Sequence, residues 1–184
     1  MIRKTALAAA LMLGMISNAR AVDSVSFEFG RGNENTDLWR AGAQWNWKKR
    51  WFAERSWTLG AYWDLQFGRW SGPEQRGQRH PGVDEVWDIG LTPVFRLDRA
   101  ERTAFAPYAE AAIGFHLLSD LRINFRRLFS THFQYGDHLG VGARFGSHYR
   151  YDVQLRLQHL SNGGLSHPNP GINFLQLRLA YHYW

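Results

Sequence analysis

The 184-residue chain contains no cysteine, which excludes a disulfide-stapled scaffold, a thiolate metal site and a cysteine nucleophile. It has no stretch of about 18 consecutive apolar residues, so no transmembrane helix is expected. A mean hydropathy of −0.42 likewise argues against a polytopic helical membrane protein. Glycine-rich phosphate loops, an H-E-x-x-H zinc helix and a G-x-S-x-G elbow are all missing. No cluster of histidines and acids compels a metal, and neither metal nor cofactor is expected.

What is abundant is of another kind. The chain has 9 Trp and 18 Gly, and aromatics reach 15%. Strands and turns use such residues more readily than helices do.

Residues 1–21 read as a secretory signal. Arg3 and Lys4 precede the apolar run Ala6 to Ile16, and Ala19-Arg20-Ala21 supplies a small-x-small cleavage pattern. The mature chain is then residues 22–184. Cleavage removes Arg3, Lys4 and Arg20 and no acid, lowering the net charge from +6 to +3. Export and so modest a charge leave a nucleic-acid partner without support.

The remainder alternates with period two, the signature of strands. Val25, Phe27 and Phe29 open the pattern. Trp39 to Trp47, Trp57 to Phe67, Trp87 to Phe95 and Phe105 to Leu117 continue it. Leu139 to Phe145, Tyr151 to Leu157 and Leu175 to Tyr183 complete it. Eight strands, an even number, allow an antiparallel sheet to close. Short connections near 48–56, 98–103 and 146–150 alternate with longer ones near 70–84, 118–132 and 160–172, the asymmetry of an outer-membrane barrel. The fold class predicted is all-β: an eight-stranded antiparallel transmembrane β-barrel.

Arg40, Asp64, Asp88, Arg96, Glu110, Arg144 and Arg156 share the polar face. Charges cannot face hydrocarbon cheaply, so they belong inside, and their mixed signs predict a lumen plugged by ion pairs. Trp39, Trp47, Trp51, Trp70, Tyr183 and Trp184 are assigned to interfacial girdles. A soluble barrel of the lipocalin type would invert the two faces. His80 and His116 stand alone and read as loop or lumen residues.

The densest polar segment is Gln158 to Asn173. Continuing the outward parity of Leu155 and Leu157 brings His159 and Ser161 to the lipid face. Stepping back from Leu177 and Leu175 brings Asn173 there. Three side chains able to form a relay would then share the outer wall at the adjacent ends of two hairpin-paired strands. Same-face neighbours along a strand lie about 6–7 Å apart. The alternative is that the strand has ended by residue 158, leaving His159 and Ser161 as ordinary loop residues. With both termini in the periplasm, the 160–172 loop is extracellular. Arg122, Arg126 and Arg127 of the 118–132 loop are then either headgroup-binding cations or a solvated basic loop.

His159-x-Ser161-Asn162-Gly163-Gly164, followed by Pro168-Asn169-Pro170-Gly171, resembles the PagL-type lipid A 3-O-deacylases. Weaker support comes from Pro107 to Gly114 and from Gly136 to Gly142. The resemblance implies an outer-membrane serine esterase that removes an ester-linked acyl chain from lipid A in lipopolysaccharide, in the Gram-negative outer membrane. It makes Ser161 the nucleophile and His159 the base. The family's third member is an acid just after Gly171, where this chain has Ile172 and Asn173, so either Asn173 orients His159, the expectation favoured here, or the chain has kept the fold without the activity. Asn162, Gly163 and Asn169 are expected to bind the substrate oxyanion, and Leu155, Leu157, Leu175 and Leu177 to seat the acyl chain. Competing readings are a non-enzymatic structural or adhesive barrel and a related acyltransferase or phospholipase barrel.

Overall fold

Strands that alternate apolar and polar residues cannot satisfy their backbone groups in hydrocarbon unless the sheet closes on itself. The computed structural model, which describes residues 22–52, 56–72, 85–99, 104–123 and 127–183, has that closure. The expected signal segment, His80, Arg126 and Trp184 lie outside the described residues.

The strands are β1 (Ser24–Gly32), β2 (Asp37–Asn46), β3 (Trp57–Ser71), β4 (Glu85–Arg99), β5 (Phe105–Leu118), β6 (Phe133–Phe145), β7 (Tyr151–Ser161) and β8 (Ile172–His182). Each pairs antiparallel with the next. β8 returns to β1, with register running from Ser24↔His182 to Gly32↔Phe174. One rim of the barrel carries the strand-proximal chain ends and the β2–β3, β4–β5 and β6–β7 connections. The opposite rim, here the loop rim, carries the other four. Three of these follow the expected long connections. The fourth, β1–β2, is a four-residue turn with Glu34 and Asn35 at positive φ.

The inward positions carry the charges, as their cost in lipid requires. Arg156 donates to Glu28 and to Glu110, each at 2.9 Å, and lies 3.8 Å from Asp64. Arg40 joins Glu28 to Asp88, Arg96 joins Glu110 to Asp152, and Arg178 forms an ion pair with Glu28 at 3.2 Å without hydrogen-bond geometry. His116 is also a lumen residue, with Nδ1 2.9 Å from Asp88. The lumen is therefore filled by a continuous ionic network. The outward faces are apolar: Ile113, Leu139 and Leu157 are each more than 60% exposed. This distribution is the reverse of a soluble ligand-binding barrel.

Towards the loop rim the inward positions turn apolar. Leu38, Trp70, Val86, Leu118, Leu160, Ile172 and Phe174 meet Ile123 and Phe129 of the β5–β6 connection in a buried plug. The expectation that Trp70 sits in an interfacial girdle is corrected here. Its indole is fully buried, with its ring centroid 5.2 Å from that of Phe174. The reason is parity: Phe67 and Arg69 point outward, so Trp70 points in. The aromatic bands on the outer wall are built elsewhere. Trp39, Phe67 and Trp87 form one near the loop rim, and Trp47, Trp63 and Phe95 form another near the opposite rim.

Removing one member of a buried ionic network leaves its partners uncompensated. Arg156→Met should destabilise the barrel by about 3–5 kcal/mol. Urea unfolding followed by the loss of heat-modifiable gel migration measures it.

Candidate active site

β7 does not end at residue 158. It continues to Ser161, which sets His159 and Ser161 on the outer wall in line with Leu155 and Leu157. β8 starts at Ile172, so Asn173 is also a strand residue, and the register places it directly opposite His159. His159 Nδ1 donates to Asn173 Oδ1 at 2.6 Å. The bond assigns the ring's second nitrogen, Nε2, as the one free to accept a proton.

Where Nε2 lies follows from a glycine. His159↔Asn173 and Leu160↔Ile172 extend by one step to bring Gly171 level with Ser161. A Cβ on Gly171 would stand 2.8 Å from His159 Cε1 and 3.3 Å from Nε2. The imidazole therefore leans over Gly171 at the height of Ser161. Gly171 also has φ +56, a conformation that side chains disfavour. Among the described residues Ser161 Oγ makes no hydrogen bond. Its relation to the imidazole is one of position, as catalytic pairs often are before substrate tightens them.

The loop that follows is anchored from below. Asn162 comes next after an outward residue, so its side chain points in and is buried. Its Nδ2 donates to Ser130 Oγ and to the Ser166 carbonyl, both at 2.8 Å, and its Oδ1 accepts from Gly164 N–H at 2.9 Å. The Asn162 N–H donates to Asn169 Oδ1 at 3.1 Å. Asn162 thus holds the loop instead of facing a ligand, and its amide hydrogen is already committed. Of the expected oxyanion donors, the N–H of Gly163 and the Nδ2 group of Asn169 remain. Gly163 has φ +66 and borders the Tyr135 ring, where a Cβ would approach to 3.1 Å.

The β1–β2 turn and the β5–β6 connection brace the same end. Asn33 Oδ1 accepts from the Asn173 N–H at 2.8 Å. Arg127 donates to the Pro170 carbonyl and pairs with Glu34 at 3.4 Å. Arg127 is buried, so in place of either expectation, a headgroup cation or a solvated loop residue, it braces the protein from within.

Sequence reasoning missed the β6 side of the site. Tyr135 pairs in register with Ser161, and Asp137 with His159. The signal was available: Leu139 and Val141 point outward, and stepping back by two reaches both residues. Tyr135 continues into an aromatic cluster with Phe115 and Phe133, which with Leu139, Leu157 and Leu175 gives the surroundings of Ser161 an apolar wall. Among the described residues no three His, Asp or Glu side chains converge to hold a metal ion. What the site presents is a hydroxyl beside an oriented imidazole, on a surface that meets lipid chains.

Comparison with known proteins gives matches in sequence and in fold. The family profile described as Lipid A 3-O-deacylase (PagL) matches residues 37–182. Lipid A deacylase PagL of Pseudomonas aeruginosa is 30% identical over 172 residues, covering 94% of this chain and 92% of that protein. The Bordetella bronchiseptica protein of the same name is 37% identical over 107 residues, 58% of this chain and 55% of the relative. The crystal structure of the outer membrane enzyme PagL superposes with a TM-score of 0.73 at 26% identity, covering 86% of this chain and 98% of the other. Neisserial surface protein A, at 12% identity and a TM-score of 0.52, covers 87% of this chain and 95% of its own, and shares the fold alone.

The closeness of Gly171 to the imidazole gives a test of the arrangement. Gly171→Ala should push the ring off Asn173 while costing the barrel only about 1–2 kcal/mol through its left-handed backbone. The His159 side-chain nitrogen shifts, read by NMR in micelles, should then lose the signature of a hydrogen-bonded Nδ1.

Proposed function

The chain belongs to the lipid A 3-O-deacylase family of outer-membrane barrels, and from that premise we propose that it hydrolyses the acyl ester at the 3-position of lipid A with Ser161 as nucleophile and His159 as base. The observation that carries this reading is the 2.6 Å bond from His159 to Asn173, made beside Ser161 on the wall that faces lipid. A polar group on such a wall is costly unless it acts. Here the reactant is itself a membrane lipid and reaches the site from the side.

The steps are those of a serine esterase. Ser161 Oγ bonds to the ester carbonyl carbon as its proton passes to His159 Nε2. Gly163 N–H and Asn169 Nδ2 stabilise the charge that develops on the carbonyl oxygen. The bond from the carbonyl carbon to the sugar oxygen breaks, and His159 returns its proton to that oxygen, releasing the 3-hydroxyl of the sugar. Water then adds to the acyl-enzyme with His159 again as base, freeing the fatty acid and restoring Ser161. The acyl chain lies against the outer wall around Leu157, Leu175 and Tyr135 throughout.

Asn173 takes the place of the family's acid. Its Oδ1 accepts the Nδ1 hydrogen and so selects the tautomer with Nε2 free. Being neutral, it stabilises the imidazolium less than a carboxylate would.

Mass spectrometry of lipid A from cells expressing the protein tests the reading. The wild type should remove one 3-hydroxyacyl chain. Ser161→Ala and His159→Ala should each lower the rate by at least about 10³-fold. Unmodified lipid A in the presence of folded wild-type protein would reject the proposal. Asn173→Glu should hold or raise the activity, and its loss would show that position 173 does not serve His159.

A further inference from the structure

A carboxylate on a lipid-facing wall calls for a reason, and this barrel has one beside its imidazole. Asp137 lies on β6 between the outward residues Tyr135 and Leu139, and its side chain is exposed. On one side the register pairs it with Ile113 of β5, and on the other with His159 of β7. Directly opposed residues of an antiparallel pair hold their Cβ atoms about 4.5–5.5 Å apart. His159 thus stands between two neighbours: Asn173 on β8, which binds its Nδ1, and Asp137 on β6. Among the described residues nothing pairs with the Asp137 carboxylate.

We infer that Asp137 is a positioning residue of this site, supplying from β6 the negative charge that Asn173 lacks. The inference rests on the Ser161–His159 reading and deepens it. The two roles usually joined in one acidic residue are divided between two strands. Asn173 holds the tautomer through a direct bond. Asp137, without bonding the ring, stabilises the imidazolium that forms when Ser161 gives up its proton. An opposite charge within about 4–6 Å favours the charged form of a titrating group. At the edge of a hydrocarbon layer, water screens that attraction less than it would on a soluble surface.

The other groups facing His159 leave Asp137 as the main source of such a field. β7 contributes Leu157 and Ser161, β8 contributes Leu175, and Tyr135 flanks Asp137 on β6. Two further pairs of charges at the loop rim are matched within themselves: Arg31 with Asp37 at 3.4 Å, and Glu34 with Arg127. The parity that brings Asp137 to this wall also makes it hard to explain as a lumen charge, because the lumen network is built from the alternate residues of every strand.

The test is kcat and KM measured separately on purified lipopolysaccharide, with the full barrel in detergent. The variants are Asp137→Asn, Asp137→Glu, Asn173→Glu and the Asp137→Asn/Asn173→Glu pair, with Ser161→Ala as baseline and heat-modifiable migration as the check on folding. Asp137→Asn should lower activity by about tenfold. The loss should fall on kcat and leave KM within about twofold, because the charge acts on the imidazolium formed only during the reaction. Asp137→Glu should keep most of the activity. In the Asn173→Glu background the same Asp137→Asn change should matter several-fold less, since a carboxylate then touches the ring directly. A loss that falls on KM alone, or an equal loss in both backgrounds, would overturn the inference and leave the Ser161–His159 reading intact. Wild-type activity no higher than that of Ser161→Ala would instead remove that reading, and this inference with it.

Discussion

In hydrocarbon a backbone N–H or C=O has no water to turn to, and the pairing of β8 with β1 answers that requirement for the whole chain. Once the sheet is closed, each residue has one of two environments and the period of two assigns them. The lumen can hold Glu28, Asp64, Asp88, Glu110 and Asp152 against Arg40, Arg96, Arg156 and Arg178 because closure removes them together from lipid. Packing charge inside is stabilising only while the signs are matched and the bonds are made. The sequences of the eight strands are thus coupled to one another through the middle of the barrel as well as around its wall.

The same two-way assignment makes the functional site conspicuous. A polar residue inside is ordinary, whereas His159, Ser161, Asn173 and Asp137 lie outside, on three adjacent strands near one rim. The rigid hairpin of β7 and β8 supplies the spacing between imidazole and amide. The loop between them is tied down by the inward-facing Asn162 and braced through Arg127 and Asn33. Residues next to one another in sequence therefore divide the work by parity. Ser161 faces the lipid and Asn162 holds the loop beneath it.

How much of this could be read in the sequence follows the range of the physics involved. Alternation is local, so the eight strands, the charged lumen and the apolar outer wall were all legible. The opposition of His159 and Asn173 was legible too, because a single hairpin sets it and the parity of both strands was clear. Trp70 was misplaced because a composition rule about tryptophan and interfaces overrode the parity of its own strand. The partners of Asn162, Asn169 and Arg127 could not be read at all, since they depend on how two connections fold over the rim. Asp137 lay between these cases: its parity was available, but its neighbour His159 is known only once the register of β6 against β7 is fixed.

A barrel wall suits chemistry in which one role is shared among strands. In many soluble hydrolases the acid, base and nucleophile arrive on separate loops, and an amide in the acid's place orients the imidazole without adding charge. Here the imidazole is flanked on both sides by strands whose outward residues fall at fixed spacings of about 5 Å. The neutral acceptor stands on one flank of the ring and the carboxylate on the other, and the two flanks differ, because a residue in an antiparallel sheet forms a hydrogen-bonded pair with only one of its neighbours. On the proposed reading, Asn173 in place of an acid removes a bond to charge without removing charge from the neighbourhood. The tautomer is set by contact, which must be direct, whereas imidazolium is stabilised by a field, which need not be.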